Sequence, residues 1–352
     1  MGKSINQRFP KILRIIMEVD MSGIKLIAEI GMNHEGSVGQ AKMLVKAAKE
    51  NGADAVKFQM HISEEETLRC APAPAYFTGE DRYGYFERTA FTIDEWFDIR
   101  QYCREQKIEF IVSPFSIEAV KRLMKIEVDG IKIPSGEVTN IPYLEFIAKQ
   151  PVPVILSSGM NTWDEVKEAY AILKHNNMVS ILQCTSEYPC KAENLGLNVI
   201  TELKKEFPHA IIGFSDHSDN IWSSIIAACF GVKLIERHFT LSKLMYGPDA
   251  YMSLEPYELL QLRNALDYTV RALNSQVDKD DVDKYEAMRT IFQKSIVANA
   301  DILGGTVISE KMLAYKKPGS GIPAKRYKEI IGKKTKRDIK KNTMIEEGDI
   351  EW

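Results

Sequence analysis

The sequence lacks any apolar run that could cross a membrane and any strong excess of charge. No run reaches the roughly 18 residues that a spanning helix needs, and the stretch Ile12–Met17 is interrupted by Arg14 and has no small-residue cleavage site. Lys and Arg number 46 against 49 Asp and Glu, which gives a net charge of −3. Because a near-neutral chain has no electrostatic reason to bind nucleic acid or a membrane surface, we expect neither partner.

Cysteine is scarce and scattered. An odd set without a C-x-x-C pair is typical of reduced thiols, so the sequence predicts a cytoplasmic protein without a disulfide framework. None of the five lies in an obvious nucleophile context, and each is predicted to be a core thiol. They are Cys70, Cys103, Cys184, Cys190 and Cys229.

Short apolar runs alternate with amphipathic segments from Ile24 to about Leu273. This alternation favours parallel βαβ units. Eight units in about 250 residues predict an α/β protein with a closed (β/α)₈ TIM barrel, whose active site lies at the carboxyl ends of the strands. The predicted strands are Lys25–Ile30, Asp54–Phe58, Ile108–Val112, Gly130–Ile133, Pro153–Leu156, Val179–Leu182, Ala210–Phe214 and Lys233–Phe239.

The chain of 352 residues is longer than one such barrel. We assign residues 1–22 to an N-terminal extension, with native translation from Met21 left open, 23–273 to the barrel and 274–290 to a charged linker. A repeat at an offset of 37 residues predicts a small β-rich domain over 291–352. The repeat aligns Asp301-Ile302, Thr306, Ile308, Glu310 and Leu313 with Asp338-Ile339, Thr343, Ile345, Glu347 and Ile350.

Charged side chains recur at the carboxyl ends of the predicted strands. Because side chains alternate along a strand, polar residues within apolar strands face the barrel interior. Buried charges are costly unless they are paired or liganded, so their convergence on one mouth predicts a functional site. The residues concerned are Glu29, Lys57, Gln59, Lys132, Glu236 and His238, together with Ser215-Asp216-His217 at the end of strand seven.

Two kinds of ligand suit this set. The inward Lys57 and Lys132 favour a phosphate or carboxylate, and the loop 134–137 adds a hydroxyl and free N–H groups. His217 and His238 close neighbouring strands, and two imidazoles suit a divalent transition metal when carboxylates such as Glu29, Glu236 and Asp249 are within reach. His34 is predicted at the rim, and the other histidines, His61, His175 and His209, show no comparable setting.

Several motifs of the chain together resemble the N-acetylneuraminate (sialic acid) synthases and their bacterial nonulosonate relatives. The resemblance runs from Ile24 to the C-terminus, and the duplicated tail resembles the antifreeze-like (SAF, β-clip) domain of these synthases. The motifs are Ile27-Ala28-Glu29-Ile30-Gly31-Met32-Asn33-His34-Glu35-Gly36, Lys132-Ile133-Pro134-Ser135-Gly136-Glu137, Leu156-Ser157-Ser158-Gly159-Met160, Gly213-Phe214-Ser215-Asp216-His217, Glu236-Arg237-His238-Phe239-Thr240, Gly247-Pro248-Asp249 and Ser253-Leu254-Glu255-Pro256.

The resemblance implies an enzyme of the transferase class. It would condense phosphoenolpyruvate with the open-chain aldehyde of an N-acylated hexosamine, giving a nine-carbon 2-keto acid and phosphate. N-acetylmannosamine is the default acceptor, and a diacetamido-trideoxy hexose, leading to legionaminate or pseudaminate, stays open. Residues near Tyr83, Tyr85 and Phe86 are expected to decide the acceptor.

The resemblance also implies roles for individual residues. His217 and His238 would hold a divalent metal, Mn²⁺ before Mg²⁺ or Co²⁺, and Glu29 would help to activate water. Phosphoenolpyruvate would be held by Lys57, Ser113, Lys132, Ser135, Ser186 and Ser215, and the sugar by Gln59, Tyr188, Glu236, Asp249 and Lys317.

The chain departs from the family pattern at three places. Ser186 stands where some members have an Asn that contacts phosphate. Lys317 stands where members commonly have an Arg that reaches a partner's barrel in a swapped homodimer, and it lacks the planar guanidinium. Ala250-Tyr251-Met252 follow Asp249 where many members have His and a small residue. Serine at position 186 keeps a donor for phosphate with a shorter reach, and the other two changes bear on the identity of the sugar.

Two other functions fit parts of the sequence. One is a Schiff-base aldolase with Lys132 as nucleophile, which needs a lysine of depressed pKa and no metal. The other is a non-catalytic sugar-binding protein built around the tail, which would need none of the inward charges.

Overall fold

The structure, a computed structural model, describes residues 23–72, 80–175 and 178–352. The predicted extension 1–22, with Met21, lies outside the described residues. The chain forms two compact units, which divide between Ser275 and Gln276. Among the described residues, no helix is both long and apolar enough to span a bilayer.

The first unit is a closed barrel of parallel strands, paired in sequence order, with the eighth strand hydrogen-bonded back to the first. The predicted TIM barrel is therefore confirmed. Its strands are β1 Lys25–Gly31, β2 Ala55–Met60, β3 Glu109–Pro114, β4 Gly130–Ile133, β5 Val154–Ser157, β6 Val179–Cys184, β7 Ile211–Asp216 and β8 Leu234–His238.

Helices surround the barrel, and three of them begin with a capping box, in which two side chains bond each other's backbone N–H groups. The capping pairs are Thr92 and Glu95, Thr162 and Glu165, and Glu255 and Glu258. The helices are α1 Val38–Glu50, α2 Ser63–Glu66, α3 Arg82–Thr89, α4 Ile93–Gln106, α5 Ile117–Ile126, α6 Ile141–Ile147, α7 Trp163–Leu173, α8 Leu197–Glu206, α9 Trp222–Cys229 and α10 Pro256–Asn274.

The barrel interior changes from apolar to polar along the strands. Its apolar cluster consists of Ile27, Ala55, Ile111, Ile155, Leu182 and Leu234. Nearer the carboxyl ends, Glu29 pairs in register with Lys57 on β2 and with His238 on β8. Ser215 of β7 pairs likewise with Glu236 of β8. Strand register thus brings the predicted polar residues together at one end of the barrel.

A buried ion pair joins β7 to β8 on the face opposite these polar residues. The Arg237 Nη1 donates to Asp216 Oδ2 at 2.6 Å, and the hydroxyls of Ser223 and Ser224 donate to the same oxygen at 2.5 Å. Burial opposes the charged carboxylate most strongly, but the attraction of Arg237 and the hydrogen bonds from Ser223, Ser224 and the Ser218 N–H together outweigh it and lower the pKa of Asp216. The Asp216–Arg237 pair stands between the two strands that end in His217 and His238.

The second unit is small and rich in extended chain. It contains α11 Glu286–Phe292, α12 Tyr327–Ile330 and an antiparallel pair of strands, β9 Ser295–Ala298 and β10 Leu313–Lys316. The two copies of the sequence repeat meet here, because the equivalent residues Ile302 and Ile339 exchange backbone hydrogen bonds at 2.8 Å. The predicted small β-rich domain is confirmed.

Candidate active site

A cavity of about 450 Å³ opens at the carboxyl ends of the barrel strands. Its wall contains most of the residues that the sequence analysis assigned to substrates. These are Glu29, Lys57, Gln59, Ser113, Lys132, Ser135, Ser186, Tyr188, His217, Glu236, His238 and Asp249. Of the three aromatic residues expected to decide the acceptor, Phe86 lines the cavity, whereas Tyr83 and Tyr85 are not part of its wall.

Each inward lysine is paired with a glutamate. Lys57 Nζ lies 2.8 Å from Glu29 Oε1, and Lys132 Nζ lies 2.6 Å from Glu236 Oε1. Burial opposes the ammonium form of Lys57, but the carboxylates of Glu236 and Glu29 outweigh it and raise the pKa of Lys57. The pKa of Glu236 is lowered, because Lys132 and Lys57 outweigh burial. The geometry therefore gives two buried lysine–glutamate ion pairs.

Hydroxyl groups extend this charged surface. Lys57 Nζ donates to Ser113 Oγ at 3.2 Å, and Lys132 Nζ lies 3.4 Å from Ser215 Oγ. The hydroxyls of Ser135 and Ser186 converge on Gly159, since a Cβ added there would lie 2.7 and 2.8 Å from them. The structure thus assembles lysine and serine donors on one cavity wall, as an anion site requires.

The two histidines lie side by side, with ring centroids 5.6 Å apart. His217 Nδ1 donates to the Thr185 carbonyl at 2.8 Å, and Tyr188 stacks on the same ring at 4.2 Å. His238 Nδ1 is buried and has no hydrogen-bond partner. Burial and then the repulsion of His217 lower the pKa of His238 well below its usual value, which favours a neutral imidazole.

These donors fit a metal in part. An Nδ1–H held by a carbonyl, as in His217, is the arrangement that directs the other ring nitrogen of a ligating histidine. Three side-chain atoms beside the histidines are buried without a hydrogen-bond partner: Glu29 Oε2, Glu236 Oε2 and His238 Nδ1. Within the described ranges, however, no three His, Cys, Asp or Glu side chains are assembled to hold an ion. The donor set therefore fits a metal ion that is bound by two imidazoles and whose remaining ligands are water or substrate.

Asp249 closes the cavity beside Glu29. Gly31 lies beneath both carboxylates with φ of 54°, and a Cβ added there would lie 2.8 Å from Asp249 Oδ2. Glycine permits both the left-handed backbone and this close approach. Burial, followed by repulsion from Glu29, raises the pKa of Asp249 to about 6. Gln59 Nε2 donates to Glu29 Oε1 at 2.7 Å on the same side.

Lys317 belongs to the second unit. It is exposed, and its Nζ lies 5.0 Å from the centroid of the Phe292 ring in the same unit. Its proposed contact with a sugar stays a prediction.

The sequence analysis missed several residues of the cavity wall, among them His61, Arg82, Phe115 and Cys184. His61, which the sequence analysis left outside the site, lines the cavity and is only 6% exposed, so that interpretation is wrong. The signal was available, because His61 continues the alternation of Lys57 and Gln59 beyond the apolar run. Cys184 also lines the cavity, with Sγ 3.9 Å from His217 Nδ1. No pattern in the sequence marks it.

Comparison with known proteins gives two family matches. Residues 44–278 match the NeuB family, and residues 293–351 match the SAF domain. The chain is 37% identical to the human N-acetylneuraminate-9-phosphate synthase, with 92% of this chain and 91% of the relative covered. It is 35% identical to the N,N'-diacetyllegionaminic acid synthase of Campylobacter jejuni, over 92% of this chain and 98% of the relative.

A solved structure has the same fold. The sialic acid synthetase of Leptospira borgpetersenii, in complex with citrate, matches with a TM-score of 0.67 and 28% identity. The match covers 76% of this chain and 91% of that one. The resemblance read from the sequence motifs is therefore confirmed.

Proposed function

This chain belongs to the NeuB family, and on that premise we propose that it joins phosphoenolpyruvate to the open-chain aldehyde of an N-acylated hexosamine. Its similarity to these synthases identifies the chain as an enzyme of the nonulosonate synthase type. N-acetylmannosamine is the proposed default acceptor, with N-acetylneuraminate and phosphate as products. A diacetamido-trideoxy hexose is the alternative acceptor within the same family.

One observation carries the proposal: two lysine–glutamate pairs lie beside two neighbouring imidazoles in a single cavity. The lysines, with the hydroxyls of Ser113 and Ser215 beside them, supply donors for the phosphate and carboxylate of an enol phosphate. The carboxylates of Glu29, Glu236 and Asp249 supply acceptors for sugar hydroxyls and a base for water. A protein that only binds a sugar through its tail needs none of these groups.

The bond changes assign work to these side chains. The π electrons of the enol phosphate form the new C–C bond, and the carbonyl π pair moves to the aldehyde oxygen, which takes up a proton. Water adds to the cationic carbon as Glu29 accepts one of its protons. The new hydroxyl then forms the carbonyl of the keto acid as the C–O bond to phosphate breaks, and phosphate leaves with the electron pair of that bond and takes up the hydroxyl proton. Lys57 and Lys132 hold the phosphate from binding to departure.

We propose His217 and His238 as ligands of a divalent metal, with Mn²⁺ favoured over Mg²⁺ by imidazole donors and Co²⁺ as a further candidate. When bound, such an ion supplies Lewis-acid polarisation of the aldehyde. The neutral His238 and the fixed Nδ1–H of His217 support this assignment.

The acceptor is proposed to lie against Gln59, Tyr188, Glu236 and Asp249. By resemblance, Lys317 is proposed to reach the sugar in the partner's barrel of a swapped homodimer. A lysine contacts the acyl group through one ammonium rather than a planar fork, so a weaker contact is expected there.

The Schiff-base alternative is disfavoured by the surroundings of Lys132. A nucleophilic lysine must be neutral, whereas Lys132 lies 2.6 Å from a carboxylate that stabilises its ammonium form. Borohydride should therefore trap no adduct between Lys132 and substrate.

Phosphate release tests the proposal. The purified chain is assayed with phosphoenolpyruvate and N-acetylmannosamine, its 6-phosphate or diacetamido-trideoxy hexoses, and each product is identified by mass spectrometry. One acceptor is expected to support release far above the others, with chelator abolishing it. If none of these acceptors supports phosphate release, the proposed reaction is contradicted.

A further inference from the structure

A chain of hydrogen bonds runs from the second helix to the proposed base. His61 Nδ1 lies 2.7 Å from Glu66 Oε1, and His61 Nε2 lies 3.1 Å from Gln59 Oε1. Gln59 Nε2 in turn donates to Glu29 Oε1 at 2.7 Å, and that oxygen also accepts from Lys57 Nζ at 2.8 Å. His61, which has no assigned role in the proposed reaction, is thus connected through Gln59 to Glu29, the proposed base.

The partners fix the direction of each bond. The Gln59 amide nitrogen donates to Glu29 Oε1, so the amide oxygen faces His61 and can only accept from it. His61 Nε2 must then carry a hydrogen. One further proton lies between His61 Nδ1 and Glu66, and the bond from His61 Nε2 to Gln59 is the same whichever of the two holds it.

The imidazole of His61 is also held in place by its neighbours. The Phe86 ring stacks on it at 3.6 Å and 9°, and the Phe115 ring stacks on the other side at 4.0 Å and 21°. The Ile62 N–H donates to the second oxygen of Glu66 at 3.3 Å. The side chains of His61 and Glu66 are 2% and 4% exposed. A ring clamped on both faces and bonded at both nitrogens has one orientation.

We propose that His61 is a positioning residue of the synthase: it fixes the Gln59 amide, and the amide fixes the Glu29 carboxylate that accepts a proton from the attacking water. This inference rests on the proposed function for the identity of the substrates. Without the Nε2–H donor, the Gln59 amide can rotate and present its oxygen to Glu29, which repels it. Loss of such an outer partner typically costs about 10- to 100-fold in activity.

Two substitutions separate positioning from packing. His61→Phe keeps an aromatic ring between Phe86 and Phe115 but removes both hydrogen bonds. His61→Gln loses the ring but places an amide N–H donor where Nε2 lies. A positioning role predicts that Gln retains more activity than Phe, with kcat and the KM for the sugar changed and the KM for phosphoenolpyruvate unchanged. A packing role predicts the opposite order. His209→Phe, at an exposed histidine outside the cavity, is the matched control.

A second measurement needs no substrate. In protein labelled with [¹⁵N]histidine, we expect one of the imidazole N–H protons that are protected from solvent exchange to be absent in His61→Phe and shifted in Gln59→Leu. If the His61 resonance has the same chemical shift in Gln59→Leu as in the wild type, the proposal is wrong. This outcome is informative even if the enzyme turns over none of the acceptors tested. An active wild type with equal kinetics in both His61 variants would overturn it while leaving the proposed function intact.

Discussion

Removing the positive charge of the Asp216–Arg237 pair should destabilise the barrel more than removing any surface ion pair. The side chains are 0% and 1% exposed, so Arg237→Met leaves a buried carboxylate without its countercharge. Such a loss costs about 3–5 kcal/mol. Arg237 Nη2 also donates to the Ser218 carbonyl at 2.7 Å and Nη1 to the Asn220 carbonyl at 2.5 Å, and both carbonyls lose this donor. We therefore expect a loss near the upper end of the range.

Calorimetry and urea unfolding of the full chain measure this loss. For a barrel of about 250 residues, each kcal/mol shifts Tm by about 2–4 °C, so Tm should fall by about 10 °C or more. Lys121→Met is the control, because its pair with Glu118 is 53% and 35% exposed and should contribute under about 1 kcal/mol. Combining Asp216→Asn with Arg237→Met should be milder than Arg237→Met alone. A Tm for Arg237→Met that matches the control would refute the reasoning.

Three further outcomes follow from the site and the barrel. His217→Ala should abolish phosphate release without a large change in Tm, and chelator should do the same to the wild type until Mn²⁺ is restored; unchanged rates in either case would remove the metal assignment. Lys132→Ala should raise the KM for phosphoenolpyruvate about 10- to 100-fold, as expected for lost charged hydrogen bonds, whereas an effect on sugar saturation alone would misplace the anion site. Gly213→Ala should cost about 1–3 kcal/mol of unfolding free energy, since its Cβ would lie 2.3 Å from Leu182 Cδ2 and 2.8 Å from the Leu234 carbonyl oxygen; a Tm equal to wild type would contradict this packing.

The strands were predictable from the sequence, but most of their carboxyl ends were placed too early. The apolar run of β2 ends at Phe58, whereas the strand continues to Met60, and that of β7 ends at Phe214, whereas the strand continues to Asp216. Hydrophobic periodicity reports burial in an apolar core. Beyond these apolar runs the strands still pair with their neighbours, but polar residues such as Gln59 and Ser215 replace apolar ones on the interior face, so the backbone structure is regular while the hydropathy pattern is not.

The candidate site was predictable where a charged residue interrupts an apolar strand. Lys57 and Lys132 are of this kind, and the structure places both in the cavity. Their glutamate partners lie on other strands, and pairing across strands depends on register, which hydropathy does not encode. His61 lay outside the predicted strand because the apolar run of β2 ends at Phe58. Its stacking partners Phe86 and Phe115 come from α3 and from the segment after β3.

The lysine–glutamate pairs also bear on how turnover ends. Two bare ammonium groups would retain inorganic phosphate, which the reaction leaves behind and which is abundant in cells. Here each ammonium already shares its charge with a carboxylate 2.6 or 2.8 Å away, so a small dianion must compete for it. We expect free phosphate to inhibit the wild type poorly. Replacing Glu29 or Glu236 by a neutral residue should make phosphate a strong inhibitor.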